Sequence, residues 1–397
     1  MIPSSGKIYE KDRMTAQERL DAVIRLERPD RVPLSMMLYY YGPFHAGVKM
    51  SDYMTKPKVY MQTMRTVYED IGPWDIYYNI NPVSRLMYSF TMMMRYLYPG
   101  KELPDDVMSQ VDEIEYMQPE DYDWIFDTNS KYVDFLFRAR MIPRFCKDGE
   151  KLGTVSLWLK LAMGLLQQKL FWKRDWKWWR ARGMVIQIGY QAEMPFDMFS
   201  QARTVVPFSL DIYQRPEKIR DAALKLAPSF AESSIQTARF MGVPRIQCYL
   251  HRTSNDFISP QTFEDLAFPG MELIINRIID AGLTPILHCD GNWTKNLKIL
   301  RRLPAKKIIL QLDGLTDIFQ AKKEIGDHMC LFGDVPAEKL ALGSSQEVEE
   351  YCHRLIEEVG KDGGFILAGA CEIPYNAKSE NLRAMVEANY KYGYYDE

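Results

Sequence analysis

The stretch Ile286-Leu287-His288-Cys289-Asp290-Gly291-Asn292 ends a short apolar run, Leu283 to Leu287, with three side chains able to ligate a metal. Apolar residues that pass into polar ones and then a glycine, with helical spacing from Trp293 on, form the pattern of a buried parallel strand emptying into a loop. Three later stretches repeat it. Ile308 to Leu312 runs into Asp313-Gly314, Met329 to Phe332 into Gly333-Asp334-Val335-Pro336, and Gly364 to Leu367 into Ala368-Gly369-Ala370-Cys371-Glu372. Such strand ends are where α/β enzymes hold their chemistry, so His288, Asp290, Asp313, Asp334 and Cys371 are expected around one cavity.

Working upstream, Arg245 to Leu250 reads as a further strand, ending at His251-Arg252-Thr253-Ser254-Asn255-Asp256, after a long helix from Pro216 to Met241. Strand and helix alternate from here on, as parallel crossover units require. Near the N-terminus, Thr15 with Glu18 is a capping box that starts a helix at about Ala16 and ends it before Pro29. Arg31 to Tyr40 reads as the first strand. Its aromatic, turn-rich end holds Tyr39, Tyr41 and His45, suited to lining a pocket. Ser51 to Asp70 is expected as a helix. The expected fold class is α/β, a (β/α)8 TIM barrel with an N-terminal helical elaboration and an inserted basic amphipathic helical segment. The 397 residues are read as one elaborated domain, 1–397, with the insertion at about 86–183, since such barrels run to roughly 250 residues and more.

Composition narrows the partners. Hydrophobic residues make up 47% of the chain and the net charge is -3, enough for a large core and no reason to expect nucleic acid. Six scattered cysteines and a short polar start without a secretory leader point to free thiols in a reducing cytoplasm. Cys146 and Cys352 read as structural. Trp172, Trp176 and Trp179 share one helical face, with Lys173, Arg174, Lys177, Arg180 and Arg182 around them. That face either packs on the barrel or a dimer mate, or makes a weak contact with an anionic membrane surface.

The segments "LHCDGNW" (287–293), "LQLDGLTD" (310–317), "LFGDVPAEKL" (331–340) and "GGFILAGACEIPYNAKSENLRAMVEANYKYG" (363–393) resemble the uroporphyrinogen decarboxylase superfamily. "MTAQERLDAVIRLERPDRVPL" (14–34) resembles the opening of that family, and the likeness is weakest from about Pro82 to Met194. Within the superfamily the chain is more similar to the corrinoid-dependent methyltransferases than to the porphyrinogen decarboxylases, whose arginine-rich signature after the first strand is missing here. The resemblance implies transfer of a methyl group between a small methylated substrate and the cobalt of a corrinoid carried by a separate protein. The alternatives are a metal-free decarboxylase of a porphyrinogen-like substrate, and a barrel that binds a partner or membrane without catalysis.

Residues two apart on a strand face the same side, so His288 and Asp290 point inward together while Cys289 points out. The zinc-binding methyltransferases of the family carry His-x-Cys and a distant cysteine in the last strand loop. His288 and Cys371 match that pattern, and Asp290 stands where the middle cysteine would be. The resemblance therefore implies zinc held by His288 and Cys371, with Asp290 or Cys330 as third ligand. The competing reading is that His288 and Asp290 only hydrogen-bond substrate and that the cysteines are buried apolar groups. Glu193, Asp256, Asp290 and Asp313 are candidates for acid or base work. Tyr39, Tyr41, His45, His251, Asn292 and Asp334 are candidates for substrate contact.

Overall fold

The computed structural model describes residues 7–80, 90–145 and 154–396; Cys146 and the start of the expected insertion lie outside them. The described strands are β1 (Ser35–Met36), β2 (Ile76–Tyr77), β3 (Arg95–Leu97), β4 (Gln110–Asp112), β5 (Val185–Ile186), β6 (Tyr190–Glu193), β7 (Arg245–Leu250), β8 (Thr284–Cys289), β9 (Ile309–Leu312), β10 (Cys330–Val335) and β11 (Phe365–Gly369). β6 to β11 form one parallel sheet in chain order, β1, β2 and β5 a second parallel sheet, and β3 and β4 an antiparallel pair. Every residue of β7, β9, β10 and β11 is buried. Strands covered on both faces favour apolar runs, as in β11, Phe365–Gly369, whereas β7 buries Arg245 and Gln247 between apolar neighbours.

Backbone contacts link the two parallel sheets at both margins. Leu34 bridges Leu367 in parallel, and the Leu367 N–H donates to Pro33 O at 2.9 Å. At the other margin the chain changes neighbour between β5 and β6: Gln187 N–H donates to Tyr77 O at 3.0 Å, and Gly189 N–H to Arg245 O at 2.8 Å. Asn79 spans this break, its Oδ1 accepting from Ile188 N–H at 2.7 Å and its Nδ2 donating to Ile188 O at 2.8 Å. A Cβ on Gly189 would lie 2.2 Å from Val243 O, so the close approach needs glycine.

Local signals place the helices. Thr15 and Glu18 form the expected capping box of helix Ala16–Ile24. Ser344 and Glu347 do the same for Ser345–Arg354. The long helix Pro216–Met241 ends at Gly242 in the left-handed conformation. The helix expected over Ser51 to Asp70 is two helices, Met50–Thr55 and Pro57–Ile71, because Lys56 precedes a proline and is extended. The first strand shortens to Ser35–Met36 and gives way to a helix, Tyr41–His45.

Trp172, Trp176 and Trp179 are only 3%, 4% and 0% exposed. Trp179 stacks on Tyr77 at 4.2 Å between ring centres, and Trp172 meets the edge of Tyr60. Of the two readings of this face, packing is the one observed, and a membrane contact through these three tryptophans is corrected: their face of helix Thr154–Arg180 is spent on the core. The solvent side of that helix exposes Val155, Trp158, Leu159, Met163, Leu166 and Leu170 instead. Among the described residues no helix is long and apolar enough to cross a membrane.

At the N-terminal ends of β1 and β2 lies a buried charge cluster. Arg19 reaches Asp30 at 2.8 Å, Asp75 at 2.6 Å and Asp12 at 3.1 Å. Arg31 reaches Asp12 at 2.8 Å, Asp75 at 2.7 Å and Asn389 of the last helix at 2.9 Å. Asp75 also accepts from Leu34 N–H at 2.8 Å. This one carboxylate thus ties two arginines to the start of β1. Replacement Asp75→Ala leaves both guanidiniums buried and short of a partner, which costs about 3–5 kcal/mol; urea unfolding of the variant is expected to show a midpoint lowered accordingly.

Candidate active site

Strand register assembles the site. Glu193, Tyr249, His288, Gln311, Phe332 and Ile366 are successive partners across β6 to β11, one row crossing the sheet. Partners in register point to one side, and so do residues two further along each strand. His251, Asp290, Asp313 and Asp334 therefore form the next row, at the C-terminal ends. Cys371 follows β11. Parallel strands bring all these ends to the same face.

His288 Nε2, Asp290 and Cys371 meet. His288 Nε2 is 3.2 Å from Asp290 Oδ1 and 3.7 Å from Cys371 Sγ, and one ligand atom from each of the three lies within 4.8 Å of the others. His288 is buried; Asp290 and Cys371 are half-buried on the open side. Burial opposes charge on His288, yet Asp290 and the Cys371 sulfur outweigh it and hold its pKa well above the ordinary histidine value. For Asp290, burial is likewise outweighed by His288 and His251, and its carboxyl is held below the ordinary range. His288 Nδ1 is buried with no hydrogen-bond partner among the described residues.

A second set adjoins the first. His251 Nε2 lies 3.3 Å from Asp290 Oδ2, and its Nδ1 lies 2.9 Å from Glu193 Oε1. Gln201 Nε2 donates to the same Glu193 oxygen at 2.8 Å. Burial pulls the His251 pKa down, but Glu193 and Asp290 raise it to about 9. Asp197, fully buried, accepts from Arg252 N–H at 2.5 Å and Thr253 Oγ1 at 3.3 Å, fixing the loop that carries His251. In the row of His288, Gln311 Oε1 accepts from Tyr78 OH at 2.9 Å and from Gln247 Nε2, one row below, at 3.1 Å.

The other expected residues make the following contacts. Asp313 accepts from Gly291 N–H at 2.6 Å and from Leu315 N–H at 3.0 Å, and Asp256 accepts from Asn292 N–H at 2.7 Å. Asn292 caps Thr294 N–H at 3.0 Å. These three shape the loop after β8. Asp334 accepts from Tyr351 OH at 3.0 Å, and burial lifts its carboxyl to about 7. Tyr41 OH and Ser379 Oγ meet His45 Nδ1 at 2.9 and 3.2 Å, while His45 Nε2 reaches Asp70 at 2.8 Å, a network between helices rather than with His288. Tyr39 is buried against Tyr40.

Cys330 does not join the cluster. It begins β10, paired with Ile309, two residues below the row of His288, so it lies at the opposite end of its strand from Asp334. Its thiol is fully buried and its pKa is pushed up by that burial. Cys289 is buried on the other side of β8, its pKa also raised by burial.

The three side chains would suit a metal. Zinc bonds of about 2.0–2.2 Å to nitrogen or oxygen and about 2.3 Å to sulfur, at tetrahedral angles, put N and O about 3.3 Å apart and N and S about 3.6 Å apart. The 3.2 and 3.7 Å separations match two of those edges, and the ligand atoms of Asp290 and Cys371 lie within 4.8 Å of each other. The donors are one imidazole, one carboxylate and one thiol, three ligands with a side left open.

A family model for uroporphyrinogen decarboxylase (URO-D) matches residues 183–392, over half of the chain, and the chain belongs to that family. Within it the likeness is to the corrinoid-dependent methyltransferases. The chain is 27% identical over 141 residues to the methylcobamide:CoM methyltransferase MtbA of Methanosarcina mazei, covering 35% of this chain and 40% of that protein. It is 25% identical over 178 residues to the MtbA of Methanosarcina acetivorans, covering 44% and 51%. The matched region thus spans about half the length of these relatives or less. A solved methyltransferase from Methanosarcina mazei superposes on 95% of this chain and 99% of its own, with a TM-score of 0.64 at 17% identity, and so has the same fold.

Asp197 makes the electrostatics testable. Burial, with Glu193 adding to it, lifts its folded pKa to about 7 from an ordinary 3.8. The folded state therefore holds a proton that the unfolded chain gives up, and stability is lost as pH rises through 7. The stability of Asp197→Asn relative to the unsubstituted protein, followed by denaturant unfolding, is expected to increase from about pH 4 to about pH 8.

Proposed function

We propose that this protein is a zinc-assisted methyltransferase that moves a methyl group between a small methylated substrate and the cobalt of a corrinoid held by a separate protein. One observation carries the reading: His288, Asp290 and Cys371 come from two distant strand ends, 83 residues apart for His288 and Cys371, and meet at the spacing of metal ligands. The likeness to MtbA, a methylcobamide:CoM methyltransferase by name, favours the same chemical class. We further read the contacts at both sheet margins as closing β1, β2, the broken strand β5–β6 and β7 to β11 into an eight-stranded barrel, within one domain.

His288 Nε2, Asp290 Oδ1 and Cys371 Sγ would hold the metal. A bound zinc ion supplies Lewis acidity to the atom that carries or receives the methyl group. In the direction away from the substrate, the bond from methyl carbon to heteroatom would break as the methyl group passes to the reduced cobalt of the partner's corrinoid, which would supply the electron pair, while a proton from solvent ends on the heteroatom; the reverse direction would return the methyl group to a deprotonated heteroatom. Reduced cobalt being the nucleophile, the chain's own task is to orient the substrate and ease the departure of the heteroatom. The aromatic ring of Tyr249, beside both imidazoles at 5.2 Å, walls the site. Arg252, the cation after β7, is occupied by Glu113 at 2.9 Å and Ser200 O at 3.0 Å, which disfavours a carboxylate-rich porphyrinogen.

Purified protein is expected to bind about one zinc per chain, and His288→Ala and Cys371→Ala to lose it while still folding. Because the His288 proton must leave before a metal can bind, affinity should climb with pH through neutrality. Elemental analysis and zinc titration at several pH values check both; zinc retained by both variants would count against the reading.

A further inference from the structure

The strongest unexplained feature beside the ligand trio is His251, whose ring bridges two carboxylates. Its Nδ1 faces Glu193 Oε1 at 2.9 Å and its Nε2 faces Asp290 Oδ2 at 3.3 Å. We propose that His251, held by Glu193, is a positioning residue that locks Asp290 into one-oxygen ligation of the metal; the proposal rests on the metal site inferred above.

Asp290 stands in a loop just past β8 and is half-buried, so nothing in the strand itself fixes the rotation of its carboxylate. An unconstrained aspartate can ligate through either oxygen, through both, or swing to water. Here the two oxygens are divided: Oδ1 faces His288 Nε2 and Oδ2 faces His251 Nε2. Once a metal takes the place between His288 and Oδ1, His251 Nε2 remains beside Oδ2 and preserves the orientation. Ligating carboxylates commonly need such outer partners, and losing one weakens the metal about 10–100-fold.

Three contacts in turn hold His251. Glu193 is fully buried at the end of β6 and is itself fixed by Gln201 at 2.8 Å. The ring of Tyr249 stacks on the His251 imidazole at 5.2 Å and 19°, with its edge toward His288. Asp197 pins the backbone at Arg252 and the side chain of Thr253. Together these explain a histidine two residues beyond Tyr249 pointing along the sheet toward Asp290 rather than out to solvent.

The test titrates zinc itself into the full-length protein against a chromophoric chelator, for the unsubstituted chain, His251→Ala, Asp290→Ala and the double variant, with thermal unfolding of each metal-free form alongside. The expected results are a roughly 10–100-fold weaker zinc affinity for His251→Ala, a loss at least as large for Asp290→Ala, and a double variant no weaker than Asp290→Ala alone, because His251 acts only through that carboxylate. Should His251→Ala not fold, His251→Gln, which cannot span both carboxylates, is read in its place. Zinc affinity of the His251 variant equal to that of the unsubstituted protein, or losses that multiply in the double variant, overturns the inference while leaving the metal site standing. An unsubstituted chain that binds no zinc overturns both.

Discussion

The constraint on which the site depends is the parallel register of β6 to β11. Because the six strands run the same way, their C-terminal ends share a face, and because partners in register point to one side, Glu193, His288 and Gln311 are carried into one row. The next row, two residues on, holds His251 and Asp290. A shift of one residue in any strand would turn its contribution to the opposite face. Because β7 to β11 are almost wholly buried, such a shift is costly: a polar side chain such as His288 would have to replace an apolar neighbour in the packing.

The two ends of the sheet concentrate charge in different ways. At the N-terminal ends of β1 and β2, Arg19 and Arg31 are saturated by Asp12, Asp30 and Asp75, every group with side-chain exposure of 2% or less. Such a cluster has no open side and fastens the first strands to the last helix through Asn389. At the C-terminal ends the charges are opened toward solvent: Asp290 and His251 are exposed by 30% and 24%. Full saturation at one end and partial saturation at the other is the division expected of a scaffold end and a working end.

Much of this was legible in the sequence, and the limits have physical causes. Apolar runs ending in polar residues and glycine identified β8 to β11, and the two-residue spacing of His288 and Asp290 gave their common direction. Alternation reveals which face a side chain occupies but not its height on the strand, so Cys330, at the start of β10, looked equivalent to residues at the far end. The link between Glu193 and Asp290 through His251 joins residues from three strands, and no local pattern encodes it. Tyr41 and His45 sat in an aromatic, turn-rich segment that suggested a pocket, whereas Asp70 and Ser379, distant in sequence, claim them. Trp172, Trp176 and Trp179 showed a helical stripe whose partner, the Tyr60 and Tyr77 rings, only the fold supplies. The break between β5 and β6 rests on the contact of Gly189 with Val243, again invisible until the strands are laid together.

The central claim is a metal held by one imidazole, one carboxylate and one thiolate. X-ray absorption at the zinc edge of the loaded protein tests it most directly. The account predicts a single sulfur at about 2.3 Å with nitrogen or oxygen neighbours at about 2.0–2.2 Å; two or more sulfurs, or none, would contradict it.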